Sequence, residues 1–545
     1  MKKGMKHRGK LALMACIAIA MLGTTACSSN SGGDSGNGGK GSNGGTEPVK
    51  QNNNTGENKG DAADPYEGLP KKISISTFDR GQVSSDEGTY EDNRWVKWIR
   101  EKSGIDVSIV PVARNQAQDK LNILFASNQA PDLVWEYDRG YIGKLVTQGV
   151  IQPIGDYIDK YSTTYKKYLE ENPDLKAHLT FNGEIYAIAT KRPVTQIANH
   201  GIWIRQDWLD ELKLERPKTM EELVSVAKAF KEHYADSTPI VGYTTFDVYS
   251  ALYGAINSQW YLEDGKMTYG GVLDRFADVI QLEKELYEQG LVDKEYLTDN
   301  NNQRANQLWT TGKAGILMGQ WGGGNIDILM KDLIANVPTA KPEPMESVST
   351  QYGHYGAYQE SSPFIYVAFN KEMKNPKAAI EYLDWIMENG WFTLVNGEEG
   401  VHYQLVDGVA KRTDVDKFNK EVLYAGEYGV VRKENMKPED LLIQAAEDEL
   451  SQRMAALSVE SVKLALKNEF RRDTPYQPIF DEINEIRATL DTFIRETRAT
   501  AVTQGDKYTG KWALEEIRKE WDRLGGAKAT EVAQQWYEDN KASFQ

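Results

Sequence analysis

The sequence predicts an α/β protein whose body divides into two lobes. Apolar and polar residues alternate in strand-like fashion at 72–78 and 105–110, and a short apolar run follows at 132–135. Helical patterns at 89–102 and 115–126 separate these strands. Strands that alternate with helices of this length indicate right-handed β-α-β crossovers and a parallel sheet. With 545 residues, the chain also exceeds what one hydrophobic core usually serves, so two lobes are expected.

Residues 1–26 have the features of a secretory signal. A basic start is followed by an apolar stretch at 11–22, which is shorter than the roughly 20 apolar residues of a membrane span. Ala26 before Cys27 resembles a bacterial lipobox, in which the cysteine is acylated and the chain is cut before it. Thr24 stands where this pattern usually has Leu, and Cys16 closes a second such pattern that would leave almost no apolar core. Cys27 is the predicted lipid anchor, and a plain signal with a chance cysteine is the alternative.

Residues 27–67 are dominated by Gly, Ser, Asn, Lys and Thr. Such a segment cannot bury enough apolar surface to offset its ordering entropy, so it is predicted to be a flexible, lipid-anchored tether. Both cysteines lie within the first 27 residues, which excludes disulfides, thiolate metal sites and a cysteine nucleophile from the body. The net charge of −16 argues against a nucleic-acid partner, because nucleic acids favour clustered basic residues.

Polar and aromatic residues follow two strands of the predicted parallel sheet. In such sheets, ligands sit beyond the carboxyl ends of the strands. The segments 78–80 and 135–138 are therefore expected at a common rim. Further along, 184–188 is predicted to be part of a hairpin turned by Asn182-Gly183, 201–205 to be a strand, and Thr219 to cap a helix.

Several segments, in the order in which they occur, resemble extracellular solute-binding proteins of family 1, especially their large Gram-positive lipoprotein branch. They are APDLV at 130–134, NGEIYAI at 182–188, IRQDWL at 204–209, RPKTMEEL at 216–223, LYEQGLVD at 286–293, TGKAGI at 311–316 and GEEGVHY at 397–403. The resemblance covers roughly residues 70 to 520. It implies a two-lobed periplasmic-binding-protein-like fold with a helix-rich C-terminal part.

The resemblance also implies where the lobes divide. The chain would cross between them near Arg192, Trp321 and Gly397. The N-terminal lobe would comprise residues 68–192 and 320–396, and the C-terminal lobe residues 193–319 and 397–545.

In function, the resemblance implies the substrate-binding lipoprotein of an ABC importer, held on the extracellular face of the cell membrane. It would capture an oligosaccharide by lobe closure and deliver it to permease subunits on other chains, as a monomer, without a cofactor and without catalysis. Some relatives carry a calcium loop of alternating acids, but residues 231–239 supply two carboxylates and no Gly, so no calcium is expected.

Sugars pack their C–H faces on aromatic rings and need charged or amide partners for their hydroxyls. The chain has 13 Trp and 28 Tyr, most of which are expected to be core or surface filler. The candidates in predicted crevice loops are Asp79, Arg80, Trp135, Tyr137, Asp138, Arg192, Trp260, Trp321, Tyr355 and Tyr358. Arg192, next to Lys191, could clamp a uronate carboxylate or simply lie in a solvated hinge.

Signals of enzymatic activity are weak, because the scattered histidines form no zinc motif and no nucleophile or phosphate-loop motif is present. A glycosidase needs only two suitably spaced acids, however. A surface-anchored polysaccharide hydrolase or lyase therefore stays open as an alternative. A ligand-binding module that serves a sensor is the other alternative.

Overall fold

In the computed structural model of the chain, the first predicted strands form a sheet. The structure describes residues 64–544 except 199, 243, 244, 300, 301 and 322–325, and it does not describe the side chains of 245, 320 and 321. The chain divides into two units after Ala63, and the described residues belong to the second. The predicted signal, Cys27 and most of the predicted tether lie outside the described residues.

The strands are β1 Lys72–Asp79, β2 Asp106–Ala113, β3 Leu133–Glu136, β4 Thr180–Phe181, β5 Glu184–Ile185, β6 Ala187–Ile188, β7 His200–Arg205, β8 Ile240–Val241, β9 Trp260–Glu263, β10 Lys266–Tyr269, β11 Ile316–Trp321, β12 Pro342–Met345, β13 Tyr366–Phe369, β14 Tyr403–Val406 and β15 Val409–Arg412.

The α-helices are α1 Arg94–Ser103, α2 Ala117–Ala126, α3 Arg139–Thr147, α4 Gly155–Tyr161, α5 Thr164–Glu171, α6 Asp174–Leu179, α7 Val194–Ile197, α8 Gln206–Leu212, α9 Met220–His233, α10 Thr245–Leu252, α11 Asp274–Glu288, α12 Gln303–Thr310, α13 Asp327–Asn336, α14 Pro376–Trp385, α15 Trp391–Asn396, α16 Val415–Glu421, α17 Asp440–Gln444, α18 Glu449–Lys467, α19 Asp481–Thr503, α20 Gly510–Arg523 and α21 Gly526–Asn540.

The first lobe is built on a sheet with the strand order β2-β1-β3-β13-β6. β1 runs parallel to β2 and to β3, as predicted, with Asp79 opposite Ala113 at the carboxyl ends. β13 runs antiparallel to both of its neighbours, because the returning chain enters the sheet at the carboxyl end of β3, where Tyr366 pairs with Glu136. The sheet is therefore parallel only in part.

Local signals explain where the helices begin. The Asn93 side chain accepts hydrogen bonds from the N–H groups of Trp95 and Val96, so α1 starts at Arg94, later than predicted. In the second lobe, Thr219 and Glu222 form the capping box of α9, which confirms the predicted cap. The second sheet has the order β12-β7-β11-β8.

The hydrophobic cores group the chain differently from the predicted lobe limits. One core draws its residues from 73–189 and 364–431. A second draws on 202–348 and 483–533, with a smaller cluster beside it that includes Met454. The chain passes between the cores near Arg192 and at 349–363 and 432–453. The helices from α19 onward pack in the second core.

The body also begins earlier than the predicted tether end at residue 67. Asp64 accepts a hydrogen bond from the Tyr161 hydroxyl at 2.6 Å and pairs with Lys377 at 2.9 Å. Lys377 also pairs with Glu67 at 2.7 Å. These partners fasten residues 64–67 to the first lobe.

Candidate functional site

The carboxyl ends of β1, β2 and β3 carry three side chains that meet at one edge of the first sheet. Arg80 directly follows β1, Arg114 follows β2 and Tyr137 follows β3. Phe78, near the end of β1, stacks on Tyr137 with ring centroids 5.6 Å apart and planes at 18°. Phe364, which precedes β13, meets Tyr137 edge-on at 5.8 Å. We call Phe78, Tyr137 and Phe364 the aromatic rim.

Arg80 joins this rim to a distant part of the chain. Its Nε donates to Glu427 Oε1 at 2.7 Å, and its second guanidinium nitrogen donates to the Tyr137 hydroxyl at 3.3 Å. Burial raises the pKa of Glu427. Burial opposes the charge of Arg80 as well, but the Glu427 carboxylate outweighs this and raises the Arg80 pKa. The predicted meeting of Arg80 with Tyr137 is therefore present.

Arg114 approaches the same aromatic stack from the end of β2. Its Cζ lies 4.7 Å from the centroid of Phe78 and 5.0 Å from that of Tyr137, within the range of a cation–π contact. Sequence reasoning missed Arg114 because it ended the second strand at residue 110, whereas β2 continues to Ala113. A predicted strand that reached residue 113 would have placed Arg114 directly after its carboxyl end, which is the position that identified Arg80.

Arg192 lies at a crossing between the cores and is mostly buried, with its side chain 11% exposed. Its N–H donates to the Ser362 carbonyl at 2.7 Å, and its Cζ lies 5.3 Å from the centroid of Phe364. Glu360 is 3.8 Å from its guanidinium. Arg192 therefore fastens the two crossing segments to each other beside the aromatic rim.

Tyr358 lies on the same crossing but faces the second lobe. Its ring is 5.2 Å from that of Phe470 and 5.8 Å from that of His200. Burial raises the pKa of the Tyr358 hydroxyl. Tyr355 packs in the second lobe, where Arg471 Cζ lies 5.6 Å from its ring centroid.

Two predicted tryptophans are core residues. Trp135 and Trp260 are each 2% exposed. β3 is buried on both faces, so the indole of Trp135 packs inside the first core. Trp260 was expected at a helix end but begins β9, where it packs against Tyr269 and Trp521. Neither side chain offers a ligand more than a narrow edge in this conformation.

The predicted acids mainly serve the local backbone. Asp79 Oδ1 accepts from the Gly81 N–H at 2.8 Å and thereby forms the turn after β1. Asp138 caps α3 by accepting from the Gly140 N–H at 2.7 Å. Both residues are exposed at the rim. Trp321 ends β11, and its side chain lies outside the described part.

Two cavities lie where α3 faces the segment 475–487, and residues 528–544 also line the larger one. They have volumes of about 1290 and 850 Å³. Asp138 and Trp260 border the smaller cavity, and Arg139 and Tyr476 border both. The Arg139 Cζ lies 3.7 Å from the Tyr476 ring centroid, so these two residues form a bridge between the cavities. Volumes of this size can hold an extended ligand.

The family of the chain follows from comparison with known proteins. The family model for the bacterial extracellular solute-binding protein matches residues 88–391, more than half of the chain. The chain belongs to this family. Membership confirms the predicted fold class and makes solute binding the chain's role.

Relatives in Bacillus subtilis (strain 168) extend the match. The polygalacturonan/rhamnogalacturonan-binding protein YtcQ is 29% identical over 332 residues, which are 57% of this chain and 64% of YtcQ, just under two thirds. The lipoprotein LipO is 23% identical over 483 residues, or 84% of this chain and 91% of LipO.

Solved structures share the fold at low identity. The alginate-binding protein AlgQ2, solved without calcium ion, has a TM-score of 0.63 at 20% identity and covers 86% of this chain and 98% of its own. A solute-binding protein from Bifidobacterium longum infantis, described as binding HMO and associated with an ABC transporter, has a TM-score of 0.67 at 17% identity and covers 86% and 99%.

In the described part of the chain, no three His, Cys, Asp or Glu side chains are grouped closely enough to hold a metal ion. In the loop after α9, the Lys231 ammonium donates to the carbonyls of Ala235 at 2.8 Å and Ser237 at 2.6 Å. None of the described helices has the length and apolarity to cross a bilayer.

Proposed function

We propose that the protein captures an oligosaccharide between its two lobes and delivers it to the permease of an ABC importer. Family membership supports capture of a solute. The names of YtcQ and of the Bifidobacterium protein support a carbohydrate ligand, and the latter also supports an ABC transporter as the partner.

The observation that carries the proposal is the aromatic rim with its two arginines. Tyr137 is half-buried and rests on the buried Phe78, so one of its faces is supported from below. Arg80 and Arg114 stand beside it. A supported aromatic face next to fixed polar donors is the arrangement that sugar rings and their hydroxyls require.

Calorimetry against a panel of neutral and acidic oligosaccharides, paired with an assay for hydrolysis or elimination products, tests the proposal. One-to-one binding without turnover is the expected result. Turnover of any panel member would instead favour the polysaccharide hydrolase or lyase. Binding without uptake in cells that contain the candidate permease would favour a module that serves a sensor.

The same proposal holds that Cys27 is acylated and anchors the protein at the outer face of the membrane as a monomer. The name of LipO supports the anchor. Two acyl chains would hold a protein durably, whereas one gives marginal binding. Cys27→Ala protein should appear in the culture fluid, and its retention in the membrane fraction would refute the anchor.

We further propose that the lobes follow the two cores and close on the ligand about the crossings at Arg192, 349–363 and 432–453. A ligand that contacts both lobes favours the closed state by its extra contacts there. Small-angle scattering with and without a ligand found in the panel should show a decrease in the radius of gyration.

A further inference from the structure

Arg114 differs from the other arginines around the aromatic rim. Within the described part of the chain, its guanidinium has no hydrogen bond or ion pair, and it lies over the rings of Phe78 and Tyr137. Arg80 is paired with Glu427. Arg192 donates to the Ser361 carbonyl at 3.3 Å, and Arg432 donates to the Gly426 carbonyl at 3.0 Å. Arg114 is thus the arginine beside the aromatic rim whose N–H donors are available to a ligand.

The acids near Arg114 already have other roles. Glu136 is 1% exposed, and its Oε1 accepts from the Tyr137 N–H at 2.7 Å. Glu427 is bound by Arg80. Asp79 and Asp138 accept from backbone N–H groups of their own turns. None of these carboxylates pairs with Arg114, so its charge is not neutralised by direct contact.

We propose that Arg114 binds the carboxylate of an acidic sugar residue, a uronate, whose ring packs against the partly exposed side chain of Tyr137. This inference rests on the proposed function and names the ligand class for the same site. A guanidinium presents a planar set of donors that matches a carboxylate in two parallel hydrogen bonds. The Phe78 and Tyr137 rings hold it in place, so little side-chain freedom is lost when the ligand binds.

A neutral sugar would use this group less well. Its hydroxyls accept single hydrogen bonds, whereas a carboxylate forms charge-assisted bonds that are about twice as strong. Arg80 is paired with Glu427, whereas Arg114 has no ion pair in the described part of the chain and keeps its N–H donors for an anion. The site therefore favours an anionic over a neutral ligand of the same size.

The test uses the full chain and matched pairs of trisaccharides. Trigalacturonate and trimannuronate are each compared with their methyl esters, which keep the shape and remove the charge, and with a neutral trisaccharide. Wild-type protein should bind at least one acid about 10- to 100-fold more tightly than its ester, the difference expected for a charge-assisted pair. Equal affinity for acid and ester, or binding of the neutral sugar alone, would overturn the inference and leave the proposed function intact.

Variants then assign the effect to Arg114. Arg114→Gln should remove the preference for acid over ester and leave ester binding unchanged, and Arg114→Lys should keep part of the preference. Lys102→Gln also removes one positive charge, but at the end of α1, on the side of the sheet where β2 begins, and should keep the full preference. Retention of the preference in Arg114→Gln would assign it elsewhere. If no trisaccharide binds at all, the proposed function fails instead.

Discussion

Trp135 contributes to the fold through its burial, because its indole packs 6.5 Å from Phe78 inside the first core. We expect Trp135→Ala to lower the free energy of unfolding by about 3 to 5 kcal/mol through the cavity that it leaves. Urea unfolding followed by circular dichroism measures this loss. Trp135→Phe keeps an aromatic ring against Phe78 and should lose less stability while retaining ligand affinity. A stable Trp135→Ala protein with weakened binding would instead place the indole in the ligand site.

Tyr137 is the partly exposed residue of the aromatic rim, since Phe78 and Phe364 are 1% and 7% exposed. Tyr137→Leu should weaken oligosaccharide binding by about 3- to 10-fold, because an aromatic stacking contact contributes roughly 0.5 to 1.5 kcal/mol beyond its area. Tyr137→Phe keeps the ring and loses only the hydroxyl that accepts from Arg80, so its effect should be smaller. Calorimetry on both variants gives the comparison, and equal losses would make the hydroxyl, not the ring, the determinant.

Lys231 supplies a positive charge to two loop carbonyls. Lys231→Met leaves the carbonyls of Ala235 and Ser237 without this donor and should lower the free energy of unfolding by about 1 to 2 kcal/mol. Lys228→Met, on the exposed face of the same helix, is the matched control. Added calcium should not restore the stability of Lys231→Met, since the loop offers too few oxygen ligands. Restoration by calcium would show a latent metal site.

Residue by residue, the sequence predicts contacts among neighbouring strand ends and misses contacts made by distant segments. Arg80 and Tyr137 are predictable because both come directly after strands of one parallel sheet. Glu427 reaches Arg80 across 347 positions, and no local pattern reports such a contact. The burial of Trp135 was not predictable, because it depends on the helices packed over both faces of the sheet, which hydrophobic periodicity along one strand does not report.

At the scale of elements, α6 carries a histidine that makes stability depend on pH. His178 is 6% exposed, and burial, assisted by Arg139 and Arg472, lowers its pKa from 6.5 to about 4. The unfolded ring gains a proton as the pH falls below about 6.5, and the folded ring does not until about 4. Unfolding should therefore become easier over this window, by roughly 1.4 kcal/mol per pH unit for one such group.

Urea unfolding at pH 7 and pH 5 measures the effect. Burial lowers the pKa of His200 to about 4 as well, so it adds to the same window. His178→Gln should remove about half of the loss between the two pH values. His200→Gln should remove most of the remainder. An unaltered slope in His178→Gln would show that other groups dominate.

The order of the helices and strands could be predicted where consecutive residues stay within one lobe. β1, α1, β2, α2 and β3 occur in the predicted order, with boundaries set by caps such as Asn93. The direction of β13 was not predictable, because it depends on the edge at which the chain returns to the sheet after forming the second lobe.

For the whole molecule, the number of lobes can be predicted from chain length, but the crossings depend on which distant segments share a core. Residues 418–431 join the first core, residues 345–348 the second, and residues 326–340 the smaller cluster beside it. The motifs that carry the resemblance mark local turns and strands. Which lobe a segment joins is decided by packing that these motifs do not encode.

The contact between Arg139 and Tyr476 joins the first lobe to the segment before α19. Tyr476 is 8% exposed, lies 3.7 Å from the Arg139 Cζ and 5.5 Å from the His178 ring, and sits between the two cavities. Arg139 is held from the other side by the carbonyls of His178 and Thr180, each at 2.8 Å. This bridge should therefore favour the closed arrangement of the two lobes even without ligand, which lowers the free energy needed for closure.

Tyr476→Ala should accordingly enlarge the ligand-free protein and weaken binding. A cation–π contact contributes about 0.5 to 2 kcal/mol, which corresponds to a 2- to 30-fold loss of affinity if it acts wholly on closure. Small-angle scattering should show a larger radius of gyration without ligand and the wild-type value at saturation. Tyr508→Ala, which removes a tyrosine packed on Trp512 near the start of α20, is the matched control. If Tyr476→Ala lost stability but kept both the wild-type radius and affinity, the bridge would stabilise the fold without setting the lobe equilibrium.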